Sequence, residues 1–189
     1  MRILAISGSL RAASSNSLLL KAIARLAGDA FTFVWYEALL TIPIFIPETP
    51  NEEAPEPVQA LRRQMQEAQG ILICTPEYAA GVPGVLKNAL DWIVSSGEFT
   101  DKPVAAISAS PGMGGGGIAL QALLPTLRIM GAVTPDALTL AVPLVKTKMN
   151  AEGHISDPEL AQQLRQLLDA FAEIIQKQQT ILQQTGELS

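Results

Sequence analysis

The stretch ILICTPEYAAGVPGVLKNALDW, residues 71–92, sets the reading of the whole chain. Its first five residues form a short, wholly apolar run bounded by turn residues, which is the pattern of a strand buried on both faces. A Pro- and Gly-bearing loop follows and carries Glu77 and Tyr78. Pro83 then stands where the first turn of a helix tolerates proline, ahead of inward-facing Val85, Leu86, Ala89 and Ile93. Strand, loop and helix in this order are half of a βαβ unit. In an open α/β sheet the loop lies at the carboxyl end of its strand, where ligands bind.

The same pattern repeats on either side. Residues 2–6 read as a first strand and residues 8–16, GSLRAASSN, as its loop. A helix with Leu19, Ile23 and Leu26 at helical spacing follows, capped by Ser14, Ser15 or Asn16. Residues 31–36 are aromatic and β-branched, hence a second strand. Residues 58–68 carry Val58, Leu61 and Met65 on one helical face. PVAAIS, residues 103–108, is the fourth strand, and the loop SPGMGGGG, residues 110–117, leads into a helix that stops at Gly131. Pro125 removes one hydrogen bond inside that helix. Residues 137–142 make a fifth strand and residues 145–153 an exposed loop. Ser156 and Glu159 fit a capping box with Pro158 in the first turn. A last helix bears Leu160, Leu164, Leu167, Leu168, Phe171, Ile174 and Ile175 and can extend to Ile181 and Leu182, and the Gln-rich tail and terminal TGELS are expected to fray. Alternating strands and helices imply one α/β domain over residues 1–189. Its sheet is parallel, and right-handed crossovers favour the flavodoxin-like order 2-1-3-4-5.

Composition narrows the function. The chain has 189 residues, 48% hydrophobic and only 16% charged, with a net charge of −5. Without a dense Lys/Arg cluster, neither nucleic acid nor an anionic membrane is the expected partner. One cysteine, Cys74, excludes an intrachain disulfide and any multi-cysteine metal site. No apolar run approaches the ~20 residues of a membrane span. The N-terminus lacks a signal-peptide pattern, so a cytoplasmic protein is expected. The low charge, together with apolar Ile42, Ile44, Phe45 and Ile46 among three prolines, suggests a contact between subunits, as a homodimer or homotetramer. His154, the only histidine, falls in a loop and leaves no His-based triad elsewhere. Glu77 reads more naturally as a structural carboxylate, paired with backbone or with a neighbouring subunit's arginine, than as a general base. Trp92 reads as core.

In the order 2-1-3-4-5 the loops after strands one, three and four converge at the switch point between strands one and three. The first loop has the chemistry of a phosphate cradle. Ser9, Ser14, Ser15 and Asn16 offer donors, Arg11 a planar fork, and the helix start free N–H groups with a favourable dipole. The Walker A spacing G-x-x-x-x-G-K-[ST] is absent, which argues against an ordinary nucleotide triphosphatase. In the third loop Gly112, Gly114 and Gly117 formally satisfy G-x-G-x-x-G, a pattern that any run with five glycines meets easily. That fingerprint belongs after the first strand, so backbone passing close to a flat ligand is the better reading.

These motifs resemble those of the NADPH-dependent FMN reductase family, flavodoxin-like proteins that include quinone, azo-dye and chromate reductases. Gly8, Ser9, Leu10, Arg11, Ser14 and Asn16 match its G-S-L-R-x-x-S-x-N. Pro76, Glu77, Tyr78, Pro83, Gly84, Leu86, Lys87, Asn88, Ala89, Asp91 and Trp92 match its P-E-Y-N-x-S-x-P-G-x-L-K-N-A-x-D-W. The third loop is similar to its S-P-G-x-x-G-G. Likeness extends over about residues 1–135, with two departures: Ala79 replaces the usual Asn, and Gly81 the usual Ser. Both remove a polar side chain. The resemblance implies FMN, its phosphate on Ser9, Arg11, Ser14, Ser15 and Asn16. Its ring would lie against Pro76, Glu77, Tyr78, Ala79 and Gly81 on one side and Ser110, Gly112, Gly114 and Gly115 on the other. It implies NADPH or NADH as co-substrate and a small acceptor such as a quinone, azo compound or metal oxyanion. The flavin carries the chemistry, so no amino-acid catalyst is expected. The alternatives are an electron carrier of the same fold and a phosphate-ligand-binding protein without turnover.

Overall fold

The computed structural model describes residues 1–11, 13–150 and 152–186. The terminal residues 187–189, where fraying was expected, lie outside them. Five parallel strands form one sheet in the order β2-β1-β3-β4-β5, as the element order implies. They are β1 (Arg2–Ser7), β2 (Thr32–Tyr36), β3 (Gly70–Thr75), β4 (Val104–Ala109) and β5 (Thr139–Val142). The helices are α1 (Ser15–Ala27), α2 (Glu56–Glu67), α3 (Gly84–Asp91), α4 (Gly117–Ile129), a single turn α5 (Val145–Lys148) and α6 (Pro158–Gly186).

Alternation along the strands divides the core in two. Ile3, Ala5, Leu72, Cys74, Ala105 and Ile107 pack under α1 and α6. Leu4, Ile6, Ile71, Ile73, Val104 and Ala106 pack under α2, α3 and α4. Every residue of β3 and β4 is buried, so these strands read as unbroken apolar runs rather than as alternating ones. At the carboxyl edge β1 and β3 close tightly. Gly8 donates its N–H to the Cys74 carbonyl at 2.8 Å, and a Cβ at Gly8 would stand 2.6 Å from Thr75 Oγ1. Only glycine lets the first loop leave the sheet there.

Three local readings change. The stretch taken as an exposed loop opens with α5, whose Val145 is fully buried. The last helix is capped by Asp157 rather than by Ser156: Asp157 Oδ1 accepts the Leu160 N–H at 2.7 Å. Pro158, at the first helical position, moves the cap to the residue before it. As its apolar repeat allows, that helix runs through Ile181 and Leu182 to Gly186. The proline-rich segment is mixed: Ile42 is buried and Phe45 packs edge-on against Trp92 at 5.2 Å, while Leu40, Ile44 and Ile46 are exposed. Trp92 is core, and its indole N–H donates to the Pro43 carbonyl at 2.8 Å.

Candidate functional site

The loops after β1, β3 and β4 meet at the carboxyl edge of the sheet and enclose a cleft. Ser9, Arg11, Ser14, Ser15 and Asn16 line it from the first loop, Pro76, Glu77 and Tyr78 from the second, and Ser110 and Pro111 from the third. Ala79, Gly81, Gly112, Gly114 and Gly115 lie outside its lining, on the outer parts of the second and third loops.

The first loop is built to present α1. Ser14 sits in extended conformation as the N-cap, and its hydroxyl accepts the Ser17 N–H at 3.3 Å. Ser9 Oγ accepts the Arg11 N–H at 3.3 Å. Ser15 and Asn16, whose N–H groups have no partner within the helix and which stand at the positive end of its dipole, line the cleft. Arg11 is exposed and, among the described residues, forms no ion pair. Asn16 departs from the expectation of a ligand-facing amide. Its Nδ2 donates to the Ala109 carbonyl at 3.2 Å, and its Oδ1 accepts the Cys74 thiol at 3.2 Å. The side chain ties the loop to β3 and β4, leaving its backbone N–H for the cleft. Burial pushes the Cys74 thiol well above its usual range, which leaves it an inert packing group.

In the second loop the turn at residues 78–81 is closed by two hydrogen bonds. Tyr78 N–H donates to Gly81 O at 3.0 Å, and Gly81 N–H to Tyr78 O at 3.1 Å. Ala79 and Ala80 both have positive φ, +49° and +59°. That is the backbone of a type I′ turn, which favours Asn-Gly rather than Ala-Ala. The Asn that the family carries at this position therefore has a conformational reason as well as a polar one. Tyr78 stands half exposed at the rim. Glu77 Oε2 accepts the N–H groups of Ile118 and Ala119 at 3.1 and 3.3 Å, so it pairs with backbone at the start of α4.

The third loop folds back on β5. Ser110 N–H donates to Val142 O at 3.2 Å, and Leu144 N–H to Gly112 O at 3.2 Å. Gly115 has φ +62°, and a Cβ there would lie 2.8 Å from Pro143 N. Gly115 is thus required by the protein's own backbone rather than by a ligand. Gly114 and Gly117 meet nothing within 4 Å, which leaves their side of the loop open. The same fold-back delivers Lys146, one residue into α5, to the cleft lining. Its place in the chain holds no local sign of this, because the long-range bonds of Ser110 and Leu144 create it.

A phosphate monoester fits this donor set: Arg11 and Lys146, which form no ion pair among the described residues, a helix start and serine hydroxyls, with the lining carboxylate Glu77 committed to α4. Among the described residues no cluster of His, Cys, Asp or Glu fits a metal ion, and no helix is long and apolar enough to cross a membrane. His154 is exposed and lies away from the cleft lining.

Residues 1–147 match the NADPH-dependent FMN reductase family. A 2-hydroxy-1,4-benzoquinone reductase from a Burkholderia species is 31% identical over 91% of this chain and 94% of its own length. An NADPH:quinone oxidoreductase from Arabidopsis thaliana is 33% identical, covering 89% of this chain and 88% of that protein. Among solved structures, the flavoenzyme NAD(P)H:(acceptor) oxidoreductase FerB from Paracoccus denitrificans superposes with a TM-score of 0.85. It is 29% identical, covering 94% of this chain and 98% of FerB.

Proposed function

The chain belongs to the NADPH-dependent FMN reductase family, and on that premise we propose that it is an NAD(P)H-dependent oxidoreductase acting through FMN. The observation that carries the reading is the pairing, across one cleft, of a cationic, helix-capped phosphate cradle with Ser110 and Pro111 at the start of the glycine loop. Arg11, Lys146, the hydroxyls of Ser9, Ser14 and Ser15, and the first N–H groups of α1 hold the phosphate. The turn at residues 76–81 and the loop at residues 110–115 flank the ring, and their backbone N–H groups favour negative charge on it. FMN, when bound, supplies a ring that takes a hydride from nicotinamide and gives electrons to an acceptor. The protein's part is to orient that ring and leave one side of it accessible. No aromatic residue occurs between Ser108 and Gly117 to cover it. The acceptor is a small molecule of the quinone, azo or metal-oxyanion kind.

Absorption spectra of the purified protein with added FMN or riboflavin test the cradle. FMN should bind at least about tenfold more tightly than riboflavin, the worth of one charge-assisted hydrogen bond to the phosphate. Equal affinity contradicts it. We further infer a cytoplasmic homodimer or homotetramer of this single domain. Its contact is the exposed apolar set Leu40, Ile44 and Ile46. Light scattering that returns a 20.1 kDa monomer would refute that.

A further inference from the structure

A second cavity, of about 480 Å³, opens on the other side of the first loop, between α1 and the carboxyl ends of β1 and β2. Only Ser9 is shared with the cleft described above. Its floor is apolar, from Ala5, Leu20 and Leu39. Its working groups are Ser7 and Ser17, Lys21, Trp35 and Glu37.

Ser7 and Ser17 hydroxyls are 2.9 Å apart and bridge β1 to α1. Trp35 packs one side of its indole on Phe33, with centroids 6.0 Å apart and planes 23° from parallel, yet stays 40% exposed. Glu37 is the first residue after β2. Lys21 and Glu37 are both exposed, and among the described residues neither forms an ion pair.

We propose that this cavity binds a purine ribonucleoside 5′-phosphate, the adenylate group. An indole offers a flat face for a base. In dinucleotide-binding doubly wound folds an acidic residue of the first βαβ unit holds the ribose diol, and Glu37 stands at the end of β2 in that unit here. A lysine on the facing helix supplies charge for the phosphate, and serine hydroxyls complete its donors. Cation, anion, aromatic face and apolar floor together suit a nucleotide better than a purely apolar or purely anionic ligand. The chemistry is shared by a free adenine nucleotide and by the adenylate end of the nicotinamide co-substrate; the second source rests on the reductase reading.

Calorimetric titration of FMN-saturated protein with AMP, beside 2′-deoxy-AMP, tests the site. Excess FMN occupies the phosphate cradle, so AMP heat reports the second cavity. AMP should bind saturably, and 2′-deoxy-AMP at least about tenfold more weakly. In Glu37→Ala the two ligands should bind alike, because the group that reads the 2′-hydroxyl is gone. Lys21→Ala should weaken both equally. Displacement of AMP by NAD⁺ assigns the site to the co-substrate; binding of AMP undisturbed by NAD⁺ assigns it to a free nucleotide. Absence of saturable heat, or discrimination that survives in Glu37→Ala, overturns the proposal. Flavin retention is read separately by absorbance. A protein that takes AMP without FMN therefore contradicts the reductase reading alone.

Discussion

Glu77 and Ile118 join two of the loops that form the cleft: the Glu77 carboxylate accepts the Ile118 N–H at 3.1 Å, at the first turn of α4. α4 has no side-chain N-cap of its own, since Gly116 occupies that place. A carboxylate borrowed from the loop after β3 satisfies two of its orphan N–H groups and complements its dipole. These two bonds thus fix the spacing between the loops after β3 and β4.

Glu77→Ala should therefore lower stability by about 1–2 kcal/mol, the cost of losing a charged cap. It should also weaken FMN and riboflavin by the same factor, because loop spacing and not the cradle is disturbed. Chemical denaturation and parallel FMN and riboflavin titrations check this. Unchanged stability would mean that water replaces the carboxylate at no cost.

The turn at residues 78–81 stores strain in Ala79 and Ala80, both left-handed without a glycine. A non-glycine residue there costs about 1–2 kcal/mol, partly offset in Ala80→Gly by the freer unfolded chain. Ala80→Gly should raise stability by about 0.5–1 kcal/mol, and Ala79→Asn by a similar amount through local hydrogen bonding. The midpoint of thermal unfolding should rise by about 1–4 °C for each. A fall in either variant would show that the turn relaxes in solution to another geometry.

Much of this was open to sequence reasoning, and the reasons differ by element. β1, β3 and β4 announce themselves because a strand buried on both faces is an apolar run of a length no helix uses. The sheet order follows from the alternation of elements and the handedness of crossovers. The cap among Ser14, Ser15 and Asn16 was legible because a helix start is a local pattern, and Ser14 takes it. Lys146 was not, since it reaches the cleft only through the third loop's hydrogen bonds to the turn after β5. The inward turn of the Asn16 amide was hidden for a like reason: its partners, Cys74 and Ala109, are far away in the chain. The cap at Asp157 could have been found, because a proline at the first helical position points to the residue before it.

Anaerobic mixing of FMN-loaded protein with NADPH or NADH, followed by a quinone, tests the central claim most directly. An accessible ring shared in turn by donor and acceptor gives ping-pong behaviour. The flavin absorbance should bleach in one two-electron step and return on adding quinone, with no radical absorbance accumulating in either direction. If neither nicotinamide bleaches the flavin, while a one-electron donor yields a long-lived radical, the chain is an electron carrier and not a reductase.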